Sequence, residues 1–504
     1  SMPIGRKGRD AVAGPLLDRI RRTAEANPAA PAFIYQGGIL TRGQVLALWH
    51  ETTRLLRERG IRAGDAVGLS MARWPMHCVA LLALARLGAV SIPLAPGMSA
   101  AERAAVISRF GIRAIVTNWD LAGVPVPILV KLDTLSVREN APEPDAGGFV
   151  PDGNTPFRVA LTSGTTGERK GILHTHGTFA DRIDKTLHEC DESTRLLPPD
   201  LHITVGMAFA IGVLGRGGTV VFDKTFHADD IANTIRLYGV THCLMAPASI
   251  SRFAAAIPAR GLAFPSLRHL RIVGAMPSAS QLETLRTRFS PNVYVPYGLT
   301  ELGVVSLATP ETLAAAPASA GRISPWARVE VVDAAGRPQP PGTTGEIRVA
   351  MEGMPAGYHG ESGAGSGATR FRQGWFYPGD IGRVSAQGLL FIEGRTDDVV
   401  NIGGHKFSLA SVDRLVAEHP GVGRAVAFVL EAGDADPSLG DAIGVAIVLR
   451  DGASAADVLR HCRERFESTV PVRLFPVADI AHDDMGKVNR GVARALALGR
   501  GASA

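Results

Sequence analysis

Four cysteines in 504 residues, none in a CxxC pair, give neither a disulfide framework nor a zinc knuckle. Cys78, Cys190, Cys243 and Cys462 lie far apart and read as structural thiols of a reducing compartment. Histidines precede three of them, at 77, 242 and 461, but adjacent residues rarely face one metal ion together. Charge of one sign is also scarce: Lys and Arg exceed Asp and Glu by only 5, and no basic block is interleaved with aromatics, so no nucleic-acid partner is expected. The most apolar stretch, His77–Ala95, is broken by Arg86 and Gly88, which argues against a membrane span and for a buried helix running into a strand. The N-terminal GRKGRD (5–10) is charged and lacks an apolar segment, so no signal peptide and a cytoplasmic location are the expectation. What is plentiful is apolar surface to bury: 46% of residues are hydrophobic, enough for a large domain plus a smaller one.

Between residues 40 and 118, helical and strand-like runs alternate. LTRGQVLALWHETTRLLRERG, CVALLALARLG and AERAAVISRFG have helical character, while DAVGLSM, AVSIPLA and AIVTN read as strands. The same alternation returns at 201–276, and predicts mostly parallel sheets covered by helices. From about 320 to 396 short strands such as ARVEVVD, GEIRVAM and GLLFIEG are separated by Gly- and Pro-rich turns, which predicts a β-rich subdomain. ESGAGSGATR (361–370) is expected to be a mobile surface loop. The expected fold is therefore α/β, with a large domain over 1–396 and a small α+β domain over 397–504, whose last residues fray.

Among the candidate sites, LTSGTTGERKG (161–171) stands out. Glycines let a loop curl so that backbone N–H groups point inward, and hydroxyls add donors, an arrangement suited to a polyphosphate. It follows FRVALT (157–162), a buried strand on its pattern, and phosphate sites often sit at strand ends. A P-loop is excluded by spacing, because Arg169 precedes Lys170 and Gly171 follows it. A flexible polar loop is the plainer alternative on composition alone. YGLTELG (297–303) offers an aromatic face, a hydroxyl and Glu301, a carboxylate suited to Mg²⁺. GWFYPGD (374–380) ends in a turn carrying Asp380, placed to accept ribose hydroxyls or simply to cap a turn. GRTDDVVNIGGHKF (394–407) marks the domain boundary, and MGKVNR (485–490) sets Lys487 behind Gly486.

Each motif is weak alone, but taken in this order and spacing all five resemble the adenylate-forming superfamily, which includes acyl- and aryl-CoA synthetases, peptide-synthetase adenylation domains and firefly luciferase. The resemblance spans nearly the whole chain and implies an active site between a large N-terminal domain and a mobile C-terminal lid. It implies activation of a carboxylic acid with ATP and Mg²⁺ to an acyl-adenylate, followed by thioester formation with CoA. On it, Thr162, Ser163, Gly164, Thr165, Thr166, Gly167 and Lys170 hold the β- and γ-phosphates, Glu301 takes Mg²⁺, and Thr300 contacts the α-phosphate. Tyr297, with Gly298 behind it, and the run Gly274, Ala275 and Met276 flank adenine; Asp380 and Arg395 hold the ribose. Lys487 bridges the carboxylate and the α-phosphate, then leaves as the lid turns about Asp397 and brings in Gly403, Gly404, His405 and Lys406 to line the CoA tunnel. Departures from the usual pattern are Arg169 for Pro, Pro378 for Thr, Ser411 for an acidic residue with Asp413 two positions on, and Met485 for Ser.

The segment LPPDLHITVGMAFAIGVLGRGGTVV (197–221) matches the superfamily's acyl-pocket region. His202 stands where amino-acid-activating relatives carry Asp, which argues against an amino acid, and it resembles the histidine of many acyl- and aryl-CoA synthetases; an idle packed histidine is the alternative. With Val205, Met207, Phe209, Gly274, Leu302 and Val304 it implies an apolar pocket for an uncharged aliphatic or aromatic monocarboxylate, and suits a dicarboxylate poorly because no basic residue is evident there. CoA is the expected thiol, an acyl carrier protein the alternative acceptor. A nucleotide-binding regulator without turnover is a third reading, opposed by the presence of Lys487, Glu301 and Asp380.

Overall fold

A computed structural model of the chain describes residues 16–72, 74–121, 124, 126–132, 149–163, 169–223, 227–258, 260–360, 370–402, 405–430, 434, 442–450, 452–465, 472–480 and 490–499. Two sheets dominate. The smaller runs, in spatial order, Ile128–Lys131, Ala114–Thr117, Ala66–Ser70, Val90–Pro93, Pro156–Ser163 and Arg169–Thr175. Its first five strands are parallel and the last pairs antiparallel. The larger has 15 strands. One half is parallel, with Val293–Leu299, His269–Ile272, His242–Met245, Arg195–Leu197, Thr219–Phe222 and Pro31–Tyr35 side by side. The other half is antiparallel and begins at Gly303–Ala308. The β-rich stretch after 320 thus extends a sheet that began in the α/β region, because Val293–Leu299 pairs on both its edges.

The interior lies between the two sheets. Helix Pro75–Leu87 has almost no polar face and is buried all round, as expected of a helix with neighbours on every side. It packs on the smaller sheet and on helix Thr204–Leu214, which packs on the larger one. Gly88, in the left-handed region at φ 71°, ends the first of these helices and lets the chain turn directly into the strand Val90–Pro93. Helix Arg42–Glu58 starts on a capping box of Thr41 with Gln44, and Ala100–Arg109 on one of Ser99 with Glu102. Ala100–Arg109 covers the outer face of the smaller sheet through Val106 and Ile107. Helices Ala228–Tyr238 and Pro247–Ala255 cover the outer face of the larger one.

After the short 3-10 turn Thr396–Asp398 the chain forms a hairpin, Val399–Ile402 with His405–Ser408, and then a three-stranded sheet of Val422–Leu430, Ala442–Leu449 and Val472–Pro476 with its own apolar core. All four cysteines are free and buried. No described helix is long and apolar enough to cross a membrane.

Candidate active site

The glycine- and hydroxyl-rich loop joins two strands of one antiparallel pair. Thr162 stands opposite Lys170 and Ser163 opposite Arg169, so the segment is the tip of a hairpin. The element that follows the loop is the strand Arg169–Thr175, so no helix dipole points at it. Residues Gly164, Thr165, Thr166 and Gly167 lie outside the described residues, as do Lys487, Gly403 and Gly404, and likewise the side chains of Ser163, Asp397, His405 and Lys406. The expected mobile loop 361–370 also falls outside them, except for Arg370. Arg169, the departure from the usual proline, pairs with Glu102 of the covering helix at 3.6 Å.

Lys170 is buried, with its ammonium 4.9 Å from the centre of the Tyr358 ring. The Tyr358 hydroxyl donates to Glu301 Oε1 at 2.9 Å. One tyrosine therefore joins the phosphate-loop lysine to the candidate metal carboxylate. Its backbone is fixed from the next residue, because His359 N donates to Gly171 O at 2.7 Å. Thr300 and Glu301 sit in the turn between Val293–Leu299 and Gly303–Ala308. That turn is clamped from below by Arg182 of helix His176–Thr186, which donates to Leu299 O at 2.8 Å and Thr300 O at 2.9 Å. Burial lowers Arg182 to about 10, with Glu301 opposing, so it stays charged at neutral pH.

A second cluster lies at the same strand ends. Asp380 is 5% exposed and accepts from the Tyr297 hydroxyl at 2.5 Å and from Arg395 Nη1 at 3.0 Å. Burial and this carboxylate push the Tyr297 hydroxyl well above its ordinary range, so it remains a donor. Pro378, the second departure, does not loosen the turn: its carbonyl takes Arg370 Nη1 at 2.5 Å and Arg395 Nη2 at 3.2 Å, and Thr396 N donates to Gly379 O at 2.7 Å. The parallel register pairs Leu270 with Val293 and Arg271 with Tyr294. Continued past the strand end, it sets Gly274, at φ 95°, across from Tyr297. The next residues, Ala275 and Met276, are exposed there, Met276 by 38% although it is apolar.

Two of the expected acyl-pocket residues border a cavity among the described residues. Leu302 and Val304 line a cavity of about 220 Å³ with Glu301, Arg182, Lys185 and Trp326, and none of His202, Val205, Met207, Phe209 and Gly274 borders it. Met207 is buried in the core, and Phe209 lies under Arg271, whose guanidinium carbon is 5.1 Å from its ring centre. His202 is buried and bonds Asp200 Oδ1 through Nδ1 at 2.7 Å. The expectation that no basic group stands there is wrong: Arg158, fully buried, donates to His202 O at 3.2 Å. Its signal in the sequence is a charge inside the apolar run FRVALT. Tyr358 and Arg182 carry no such signal, since they reach their partners only through the fold. Arg490 is the fourth residue missed. It binds Asp398 at 2.9 Å, next to the expected hinge, and Asp413 at 2.9 Å, the acidic residue after Ser411.

Residues 20–359 match the AMP-binding enzyme family. The chain belongs to that family. A probable CoA ligase of Humulus lupulus is 26% identical over 489 residues, 90% of this chain and 90% of that protein. A fatty acid–[acyl-carrier-protein] ligase of Streptomyces coeruleorubidus is 26% identical over 426 residues, 80% of this chain and 81% of that one. An amide bond synthetase from Marinactinospora thermotolerans superposes with a TM-score of 0.82 at 24% identity, over 95% of this chain and 99% of that structure.

Proposed function

We propose that this chain is an AMP-forming carboxylate–CoA ligase: it activates a carboxylic acid with ATP to an acyl-adenylate and passes the acyl group to CoA. The observation that carries the reading is the pair of polar clusters at the same strand ends, one built for an anion and a cation, the other for a diol. A carboxylate has no good leaving group, and attack of its oxygen on the α-phosphorus of ATP, expelling pyrophosphate, supplies one. Asp380, held by Tyr297 and Arg395 at the turn, is in this reading the carboxylate that accepts from the ribose hydroxyls. Glu301 is a single carboxylate beside a lysine-lined phosphate loop, a donor set that suits Mg²⁺ shared with phosphate oxygens. Bound there, the ion neutralises phosphate charge. Tyr358 orients the carboxylate, and Arg182 fixes the backbone from which Thr300 reaches the α-phosphate.

Residues 397–504 act in this reading as a lid turning about Asp397, carrying Lys487 in for adenylation and Gly403, Gly404, His405 and Lys406 in for thiolation. Arg490, three residues beyond Lys487 in the sequence, pairs with Asp398 and Asp413. The test is a panel of carboxylic acids with ATP and Mg²⁺, with and without CoA, read by mass spectrometry. CoA-dependent AMP and acyl-CoA support the reading. AMP without acyl-CoA moves the acceptor to a carrier protein, the acceptor named for the Streptomyces relative. No AMP with any acid refutes it.

A further inference from the structure

Arg158 stands in the middle of the strand Pro156–Ser163, between Ser91 on one neighbour and His174 on the other, with its side chain at 0% exposure. Only Nη2 has partners, the carbonyls of His202 at 3.2 Å and Leu201 at 3.5 Å; Nε and Nη1 have none. Beside it the His202 ring spends Nδ1 on Asp200 and leaves Nε2 buried without a partner. The His77 ring closes the group, edge-on to His202 with centres 4.7 Å apart. Among the described residues no side chain forms an ion pair with Arg158. Asp200 is engaged by His202, and burial pushes the Cys78 thiol up to about 12, so it stays neutral. Burial draws Arg158 itself down only to about 10, so it is charged at neutral pH. A buried charge with neither counter-ion nor complete hydrogen bonding costs several kcal/mol. Water could fill the bonding vacancies but brings no negative charge.

The position of the charge tells which anion answers it. Arg158, Ala160 and Thr162 alternate onto the face of the strand opposite Val159, which packs into the outer cluster with Ile107 and Ile115, so Arg158 points inward, toward His202. Four residues of strand separate Arg158 from Thr162 by about 13 Å, too far for a phosphate held at the loop. We propose that Arg158 and His202 form the floor of the acyl site and bind a second carboxylate, so that the substrate is a dicarboxylic acid activated at one end. This rests on the ligase reading above and replaces the uncharged monocarboxylate expected from the sequence.

The test uses the full chain with ATP, Mg²⁺ and CoA, and compares kcat/KM for succinate through suberate with butyrate through octanoate, and terephthalate with benzoate. The best diacid should exceed the best monoacid by about thirtyfold or more, the effect of pairing a buried charge. Arg158→Met should collapse that ratio toward one, and Arg158→Lys should retain part of it. Monoacids used as well as diacids overturn the inference and leave the ligase reading standing. So does a preference that survives Arg158→Met. If Arg158→Met does not fold, the wild-type ratio decides alone. No turnover with any acid removes the ligase reading, and this inference with it.

Discussion

Replacing Tyr297 by Phe separates two roles that one side chain is asked to fill. The ring stays, so any stacking on a base is kept; the hydroxyl that donates to Asp380 at 2.5 Å goes. Asp380 is 5% exposed and would keep Arg395 as donor at 3.0 Å. A hydrogen bond to a charged acceptor contributes about 1.5–3 kcal/mol, so the unliganded variant should lose about 2 kcal/mol. For a cooperative unit of this size that is a drop in Tm of about 2–3 °C. If Asp380 is the ribose acceptor, a nucleotide brings hydroxyl donors to the vacated position. Saturating AMP should then narrow the gap between variant and wild type. Differential scanning fluorimetry with and without AMP reads both quantities. An equal Tm drop in the two conditions refutes Asp380 as the ribose acceptor, and no drop at all refutes the weight given to the hydroxyl. Tyr297→Leu, which removes the ring as well, should weaken AMP binding further.

Arg182→Met should strip the turn at Thr300 and Glu301 of donors at 2.8 and 2.9 Å, lower Tm, and reduce the adenylation kcat by about a hundredfold, as misplacement of a positioned group does; a lowered Tm with kcat unchanged would assign Arg182 to stability alone. Lys487→Ala should abolish adenylation while sparing thiolation of a preformed adenylate, and equal loss of both half-reactions would sink the two-position lid. Stability should fall on acidification: burial holds His174 at about 3, His176 at about 4 and His242 at about 3, so the unfolded chain binds more protons than the native one from about pH 6.5 downward. These histidines stabilise fully above that pH, and together they lose up to roughly 4 kcal/mol per pH unit as it falls toward 4. Urea midpoints at pH 7 and pH 5 measure this, and equal midpoints would contradict the burial of these rings.

Periodicity carried the fold a long way. Alternating runs such as DAVGLSM and CVALLALARLG become the parallel strand Ala66–Ser70 and the buried helix Pro75–Leu87, because strand and helix periods depend only on local spacing. Continuity of the larger sheet from its parallel into its antiparallel half was hidden, since it depends on how Val293–Leu299 pairs on each edge. The site divides along the same line. Thr162, Lys170, Tyr297, Glu301, Asp380 and Arg395 are legible because their motifs are contiguous, and the chemistry of a loop is written beside itself. The groups that hold those motifs in place come from elsewhere: Arg182 is 118 residues from the carbonyl it clamps, and Tyr358 is 57 from Glu301.

Arg158 is the instructive case between these two. A guanidinium within FRVALT is visible in the sequence, and burial of the strand follows from its pattern. What no pattern can show is the absence of a partner, which is a statement about everything else in the fold. In most buried strands such an arginine would meet an aspartate or a glutamate on a neighbouring element, and would say nothing about ligands. Here the described residues around it are Ser91, His174, His77, Cys78 and His202, and among them the carboxylate of Asp200 serves His202. A positive charge left unpaired by the described residues around it points to the substrate for its partner, which is why the diacid preference, and its dependence on this single side chain, is the sharper test of what the pocket holds.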